Sequence, residues 1–380
     1  MQTVIRCWYE MIGIYSVNGH EAAMADYIAN VLKGFGLEVY YSYFSEDTEH
    51  KRPSIWTVLD SGRAGKTMLL IGHLDTVDVN LANWRTNPFA ATEIDGFVYG
   101  RSSMDMKGGL SCILSTVEYF ASHRDEFNGR IMACFVADEE GLSQGTYQLI
   151  NEGAIQADYA IMAECRYDNV AVGFRGRYSF EVTVRGTSAH TSRYPAIGEN
   201  ALINAGQMVA AIEALPTLTH PHLKHGTWCF RYISGGNPNT LVVPDSCYIF
   251  VDRYVVPGET EETCIAQIQE AAENLGLGEK VHIQLKPRKS PYMQPFAIAE
   301  NHPLVETLRR NFRSVTGENL RVEYDASVCD SNILAVSLNI PVVTFGPAGG
   351  NMHGDNEYGV PEQVLNCLEI YKKTTREMLS

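Results

Sequence analysis

The sequence predicts an α/β protein in which a small domain of split βαβ type interrupts a larger one. Three observations carry this expectation. Nearly continuous apolar runs of strand length alternate with amphipathic helical stretches through the first half of the chain. Near residue 174 the strands change to strict apolar–polar alternation, and near residue 341 the continuous style returns. A length of 380 residues also exceeds what one hydrophobic core usually carries.

The first predicted helix covers 20–33 (HEAAMADYIANVLKG), with Gly34 placed to cap it. KTMLLIG (66–72) is an apolar run of the kind found in a strand buried on both faces. In GGLSCILSTVEYF, Leu110, Ile113, Leu114, Val117 and Phe120 recur at helical spacing. RIMACFVA (130–137) and YAIMA (159–163) are two more buried strands with a helix between them. YSFEVTVRG (178–186) alternates instead, with Tyr178, Phe180, Val182 and Val184 on one face and Ser179, Glu181, Thr183 and Arg185 on the other. A helix near 199–214, the strands WCFRYI and SCYIFVDRYV, a helix near 260–274 and the strand VHIQLK follow. That order, β-α-β-β-α-β, is a ferredoxin-like unit, and the Pro-rich KPRKSPYMQP leads out of it. PVVTFG (341–346) and a final helix over 361–378 complete the larger domain. The expected boundaries are 1–173 and 289–380 for the larger domain and 174–288 for the insertion.

Composition narrows the function classes. Apolar residues make up 45% and charged residues 20%, which excludes a disordered chain or a coiled coil. Thirty Lys+Arg against 45 Asp+Glu leave a net charge of −15, which repels phosphate backbones and anionic membranes, so neither nucleic acid nor membrane is an expected partner. No run approaches the ~20 apolar residues of a membrane span, and the first residues lack the apolar stretch of a cleavable leader. Nine scattered cysteines without a CxxC pair fit reduced thiols in a cytoplasmic protein better than a disulfide framework or a cysteine zinc site.

Acidic and imidazole residues gather where the strands end. IGHLDTV sets His73 and Asp75 two apart on one strand face, where the carboxylate could hold the second nitrogen of a metal-ligating imidazole; a surface histidine is the alternative. Asp105 in GRSSMDMKGGL lies in a Gly-rich turn before a helix, as a functional group or as an N-cap. Lys107 precedes the glycines, which excludes a phosphate loop. VADEEG emerges from its strand with Asp138, Glu139 and Glu140, whose repulsion requires a cation unless the loop is simply solvated. One glutamate could bind metal while its neighbour takes a proton from water. MAEC adds Glu164, and HGDNEYG places His353 in a late Gly-rich loop. His73, Asp105, Glu140, Glu164 and His353 thus all fall at or beyond strand ends, where open α/β sheets bind ligands. Two imidazoles and three carboxylates without a thiolate suit two Zn²⁺ ions about 3.5–4 Å apart, with one carboxylate bridging and Co²⁺ or Mn²⁺ also accepted.

The series His-x-Asp, Asp-Met-Lys-Gly-Gly, Asp-Glu-Glu-Gly, a lone Glu and a late His before Asn-Glu-Tyr resembles the co-catalytic zinc amidohydrolases and exopeptidases. That family includes acetylornithine deacetylase, succinyl-diaminopimelate desuccinylase, aminoacylase and carboxypeptidase G. The resemblance covers essentially the whole chain and implies a zinc-exopeptidase-like catalytic domain, a mostly parallel sheet flanked by helices, with the insertion as lid and dimerisation module. It implies that His73 and Glu164 hold one zinc and Glu140 and His353 the other, with Asp105 bridging and the Asp105–Met106 peptide cis. It further implies that Glu139 is the general base and that Asp75 orients His73. GTSAH resembles a segment whose histidine reaches a partner subunit's active site, which makes His190 a candidate for oxyanion stabilisation. GGNPNTLVVPD resembles the segment that offers Asn239 to the substrate. One departure stands out: the family often has Asp-x-Arg before a Pro-Gly-Glu turn, whereas here Tyr254 follows Asp252 and Arg253. Arg253 is then a substrate-carboxylate anchor or a surface strand residue.

The expected activity is metal-dependent hydrolysis of an amide bond in an N-acyl amino acid or small peptide with a free carboxylate, by a homodimer paired through the inserted domain. GLSQG (141–145) offers a competing serine hydrolase, with Ser143, Asp330 and His353 in the required chain order. Carboxylates between strand and serine oppose such a nucleophile, and Ser143 is instead expected to N-cap the next helix. HPHLKH (220–225) reads as a solvated loop before a metal cluster. A catalytically inactive metal-binding homologue is a third reading, against which Glu139 and all five ligand positions are filled.

Overall fold

Thr67–His73 is a strand with every residue buried, as a doubly covered apolar run requires. It lies at the middle of a nine-stranded sheet in the computed structural model of the protein, which describes residues 2–44 and 52–380. Arg130–Val136 pairs parallel to it on one side and Tyr159–Met162 on the other; Val342–Thr344 extends the parallel set beyond Tyr159–Met162. Antiparallel strands finish both flanks: Pro53–Asp60 and Tyr40–Tyr43 on one, Asn169–Phe174 on the other. The expected mostly parallel sheet thus has a parallel core of four strands with antiparallel strands at its flanks.

Helices cover this sheet by their apolar stripes. Lys107–Ser122 buries Leu110, Ile113, Leu114, Val117 and Phe120, the positions read at helical spacing. Thr3–Ile12 is a helix outside the sequence expectations, although Val4, Cys7, Trp8, Met11 and Ile12 follow the i, i+3, i+4, i+7, i+8 pattern and are all buried. The next helix, Ala22–Gly34, includes Gly34 instead of stopping before it; the left-handed residue is Gly36, at φ 79°. Among the described residues no helix is long and apolar enough to cross a membrane.

The chain divides into two compact units. The larger holds the residues up to Gly173 with Ala297–Tyr324 and Cys329–Ser380; the smaller holds Phe174–Phe296 with Asp325–Val328. In the smaller unit the strands Thr227–Gly235, Ser246–Val255, Gly176–Arg185 and Val281–Leu285 form one antiparallel sheet in that spatial order. Numbered within the unit this is 2-3-1-4, the ferredoxin-like order. Tyr178, Phe180, Val182 and Val184 form its inward face with Ile249, Val251, Met208 and Ile268. The second boundary falls eight residues beyond the expected 288, because the Pro-rich exit packs onto this sheet. Tyr292 is buried in the core with its hydroxyl donating to Lys286 O at 2.9 Å, and Arg177 N donates to Met293 O at 3.0 Å.

Candidate metal centre

Chain order reverses at Thr67–His73, since the following parallel strands Arg130–Val136 and Tyr159–Met162 settle on opposite sides of it. A crevice opens at the carboxyl ends of such strands. His73 is the last residue of its strand, Glu139 and Glu140 follow Arg130–Val136, Glu164 follows Tyr159–Met162, and Asp105 sits just before the helix Lys107–Ser122. His353 arrives on the loop after Val342–Thr344, in a left-handed conformation at φ 60°. The Asp105–Met106 peptide is cis. Gly109 lets the helix close on Glu164's strand, because a Cβ there would collide with the Ala163 carbonyl.

The side chains converge in two triads that share one residue. His73, Asp105 and Glu164 offer ligand atoms within 4.8 Å of one another, and so do Asp105, Glu140 and His353. His73 Nε2 lies 3.1 Å from Asp105 Oδ1 and 3.6 Å from Glu164 Oε1. His353 Nε2 lies 3.1 Å from Asp105 Oδ2 and 2.9 Å from Glu140 Oε1.

The donor chemistry fits cations. His73 Nδ1 sits 2.9 Å from the Asp75 carbonyl oxygen, which can only accept, so a neutral imidazole keeps its proton there and turns the Nε2 lone pair to the carboxylates. Lone pairs facing lone pairs in a buried site need a positive charge between them. Without a metal, protons fill that role. Burial pulls His73 down, yet the charges of Glu164 and Asp105 hold it well above its ordinary value. Hydrogen bonds to Asp105 and Glu140 push His353 up to about 10. Burial and the Asp105 charge push Glu164 up to about 8, while the two imidazoles hold Asp105 well below the usual carboxylate range despite its burial. Burial, then the neighbouring Glu164 charge, raises Glu139 well above its ordinary value.

Asp75 acts differently from expectation. Its carboxylate is 3.7 Å from His73 Nδ1, and its main-chain carbonyl makes the closer contact. The carboxylate instead accepts the backbone N–H groups of Glu139 at 3.2 Å and Glu140 at 3.0 Å, plus Asn18 Nδ2 at 2.7 Å. Asn18 Nδ2 also reaches Asp138 Oδ1 at 3.2 Å, and Asp138 accepts from Leu142 N and Gln144 N within its own loop. Asn18 had no sequence signal, being an isolated polar residue far from any motif. Glu357 was visible inside Asn-Glu-Tyr but without a role; its Oε1 accepts Met104 N and Asp105 N, both at 3.0 Å.

The remaining candidates lie in the smaller unit or outside the centre. His190 is exposed on a loop, where its Nδ1 accepts Ser192 N at 3.2 Å, so its neutral ring carries the proton on Nε2. Asn239 is exposed, with its backbone N–H donating to Asn237 Oδ1 at 2.9 Å. Arg253 corrects both of its expected roles. It shares the inward strand face with Ile249, Val251 and Val255, is 0% exposed, pairs with Glu259 and lies 4.8 Å over the Trp228 ring. A substrate carboxylate has no access to a guanidinium placed in that core. Ser143 is buried at φ 58° and makes no capping bond, because Asp138 takes that duty; Thr146 donates to Asp330 at 2.5 Å, and His353 faces Asp105 and Glu140. The histidine that a serine triad would need is thus engaged with Asp105 and Glu140. His220 Nδ1 accepts His222 N and Leu223 N, and HPHLKH contributes to no three-donor cluster among the described residues.

Known proteins resemble this chain over its whole length. The family profile described as peptidase family M20/M25/M40 matches residues 69–377. A succinyl-diaminopimelate desuccinylase of Methylorubrum populi is 28% identical over 397 residues, covering 100% of this chain and 99% of that protein. Another, of Nitrosomonas eutropha, is 27% identical and covers 86% of each chain. Aminopeptidase PepT from Bacillus cereus superposes with a TM-score of 0.82 at 19% identity, covering 100% of this chain and 98% of its own. A metallo-carboxypeptidase from Sulfolobus solfataricus does so at 0.79 with 17% identity, covering 99% of both chains. At these identities the two structures speak to the fold alone.

Proposed function

Because the chain belongs to peptidase family M20/M25/M40 and is a hydrolase acting on amide bonds, we propose that it works with two divalent cations, zinc first among them. The substrate in this reading is an N-acyl amino acid or small peptide with a free carboxylate. The observation that carries it is Asp105, whose two oxygens face the two triads. His73 and Glu164 would hold one cation and Glu140 and His353 the other, with Asp105 between. Four carboxylates crowd here (Asp105, Glu139, Glu140 and Glu164), and two dications match their charge.

Such cations supply Lewis acidity toward the scissile carbonyl and lower the pKa of an attacking water. Glu139, fixed at its backbone by Asp75 and belonging to neither triad, takes the proton of the water and delivers it to the leaving amine. His190 donates from Nε2 to the developing oxyanion when contributed by a second copy. Asn239 contacts the substrate. The full-length likeness to desuccinylases makes N-succinyl amino acids the first substrates to try.

A homodimer through the smaller unit fits its surface. Thr227–Gly235 is an edge strand exposing Tyr232 and Ile233, and the helix Ala201–Glu213 exposes Leu202 and Ile203. Nine free cysteines, most of them buried, suit a reducing cytoplasm.

The test is removal and return of metal. Dialysis against a chelator should abolish hydrolysis of N-acyl amino acids and dipeptides, and Zn²⁺, Co²⁺ or Mn²⁺ should restore it. Glu139→Ala should keep the cations and lose about 10²–10⁴-fold in turnover. An enzyme indifferent to chelation would overturn the proposal, and loss of cations from Glu139→Ala would mean the adjacent glutamates exchange roles.

A further inference from the structure

Arg101 and Glu357 form an ion pair of 2.6 Å whose side chains are 2% and 1% exposed, immediately behind the metal centre. Burying two charges carries a desolvation cost that packing alone would avoid, so the hydrogen bonds the pair makes are informative. Glu357 Oε2 takes Arg101 Nη1, while Oε1 takes the N–H groups of Met104 and Asp105, both at 3.0 Å. Arg101 Nη2 donates to the carbonyls of His353 at 3.3 Å and Asp78 at 3.2 Å. The Trp84 ring covers the guanidinium at 5.3 Å. One pair therefore fastens the backbone at Asp105 and the backbone at His353, residues 248 apart in sequence.

We infer that Arg101 and Glu357 are positioning residues that set the spacing of Asp105 and His353, and with it the affinity of the cation site made by Asp105, Glu140 and His353. The inference rests on the two-cation reading above. Neither side chain supplies a ligand atom, so each acts through the backbone of a ligand residue. The effect falls mainly on one site, because Asp105 is shared by both triads whereas His353 belongs to one. His73 ends a central strand and Glu164 follows its parallel neighbour, so sheet hydrogen bonds hold that half of the centre. His353 is instead in the irregular loop between the short paired strands Gly349–Gly350 and Tyr358–Gly359, several residues from their ladder, and is tied down by this pair and by side chains such as Asn356, which accepts Arg85 N at 2.8 Å. Glutamine at 357 keeps the shape and one acceptor oxygen but loses the charge that orders Arg101. Lysine at 101 keeps the charge but loses the fork that reaches Glu357 and His353 together.

The experiment uses full-length wild type, Glu357→Gln and Arg101→Lys, stripped with chelator and titrated with Co²⁺ by equilibrium dialysis. The visible and electron paramagnetic resonance spectra of bound Co²⁺ are recorded alongside. Wild type is expected to take up two ions. Each variant should bind the second ion about 10–100-fold more weakly and weaken the first far less, losing the spin-coupled signal at matched concentrations. If Glu357→Gln does not fold, Arg101→Lys carries the test. Two unchanged affinities with an unchanged coupled spectrum overturn the inference, as does equal weakening of both sites. Wild type binding fewer than two ions instead removes the two-cation reading itself, an outcome visible before any variant is measured.

Discussion

Removing the Glu259 carboxylate would leave the Arg253 guanidinium buried beside Trp228 with its charge uncompensated. Glu259→Ala should therefore cost about 3–5 kcal/mol of the smaller unit's stability in a denaturant titration. An anchor for substrate would behave otherwise, with KM rising in Arg253→Lys at unchanged stability, and that result would reinstate the role rejected above. The residue also marks where sequence reasoning stops. Its departure from Asp-x-Arg was plain, and the one-residue shift implied the opposite strand face, but which face looks inward depends on pairing: Arg253 faces Tyr178, itself a core residue. The five candidate ligands drew notice in the sequence because each falls in a strand-end or loop motif and their chemistry is shared, and the structure brings their side chains together. Asn18, Arg101 and the work of Glu357 drew none: Asn18 meets the Asp75 and Asp138 carboxylates only through the fold, and Arg101 and Glu357 act largely on backbone groups, which leave no mark in sequence.

Glycine substitutions probe the elements. Gly109 lies where the helix Lys107–Ser122 meets the Ala163 carbonyl, so Gly109→Ala must push the helix and Asp105 away from Glu164. About 1–3 kcal/mol of destabilisation is expected, with weakened cation binding read by the same Co²⁺ titration. Gly206, in the helix Ala201–Glu213, has no neighbour within 4 Å of an added Cβ. Gly206→Ala should stabilise by up to about 1 kcal/mol and leave cation binding alone. Equal behaviour of the two variants would remove the packing account of Gly109. At this scale periodicity served well for buried strands and for the alternating strands of the insertion. It served badly at the ends, where Thr3–Ile12 was read only for a leader and Tyr40–Tyr43 is too short to show a period.

For the whole molecule, the edge strand Thr227–Gly235 gives the most direct test. Ile233→Lys places a charge on the exposed edge and should turn a dimer into a monomer in light scattering, with little change in melting temperature. If His190 serves a second copy, mixing inactive Glu139→Ala with inactive His190→Ala should recover part of the activity; no recovery would confine each site to one chain. The interruption of one compact unit by another left its mark in a strand style that changes twice, while the far boundary was hidden by prolines that look like a linker but pack onto the smaller unit's sheet. The interruption also has a consequence in time. His353 is made 189 residues after Glu164, a delay of roughly 10–40 s at ordinary rates of synthesis. Throughout that interval the growing chain holds one ligand triad without the other, and Tyr159–Met162 waits with an unpaired edge until Val342–Thr344 arrives to cover it. On the two-cation reading, loading of the second cation would be among the last events in the birth of the protein, and a nascent chain stalled before residue 342 is the form most exposed to wrong strand partners.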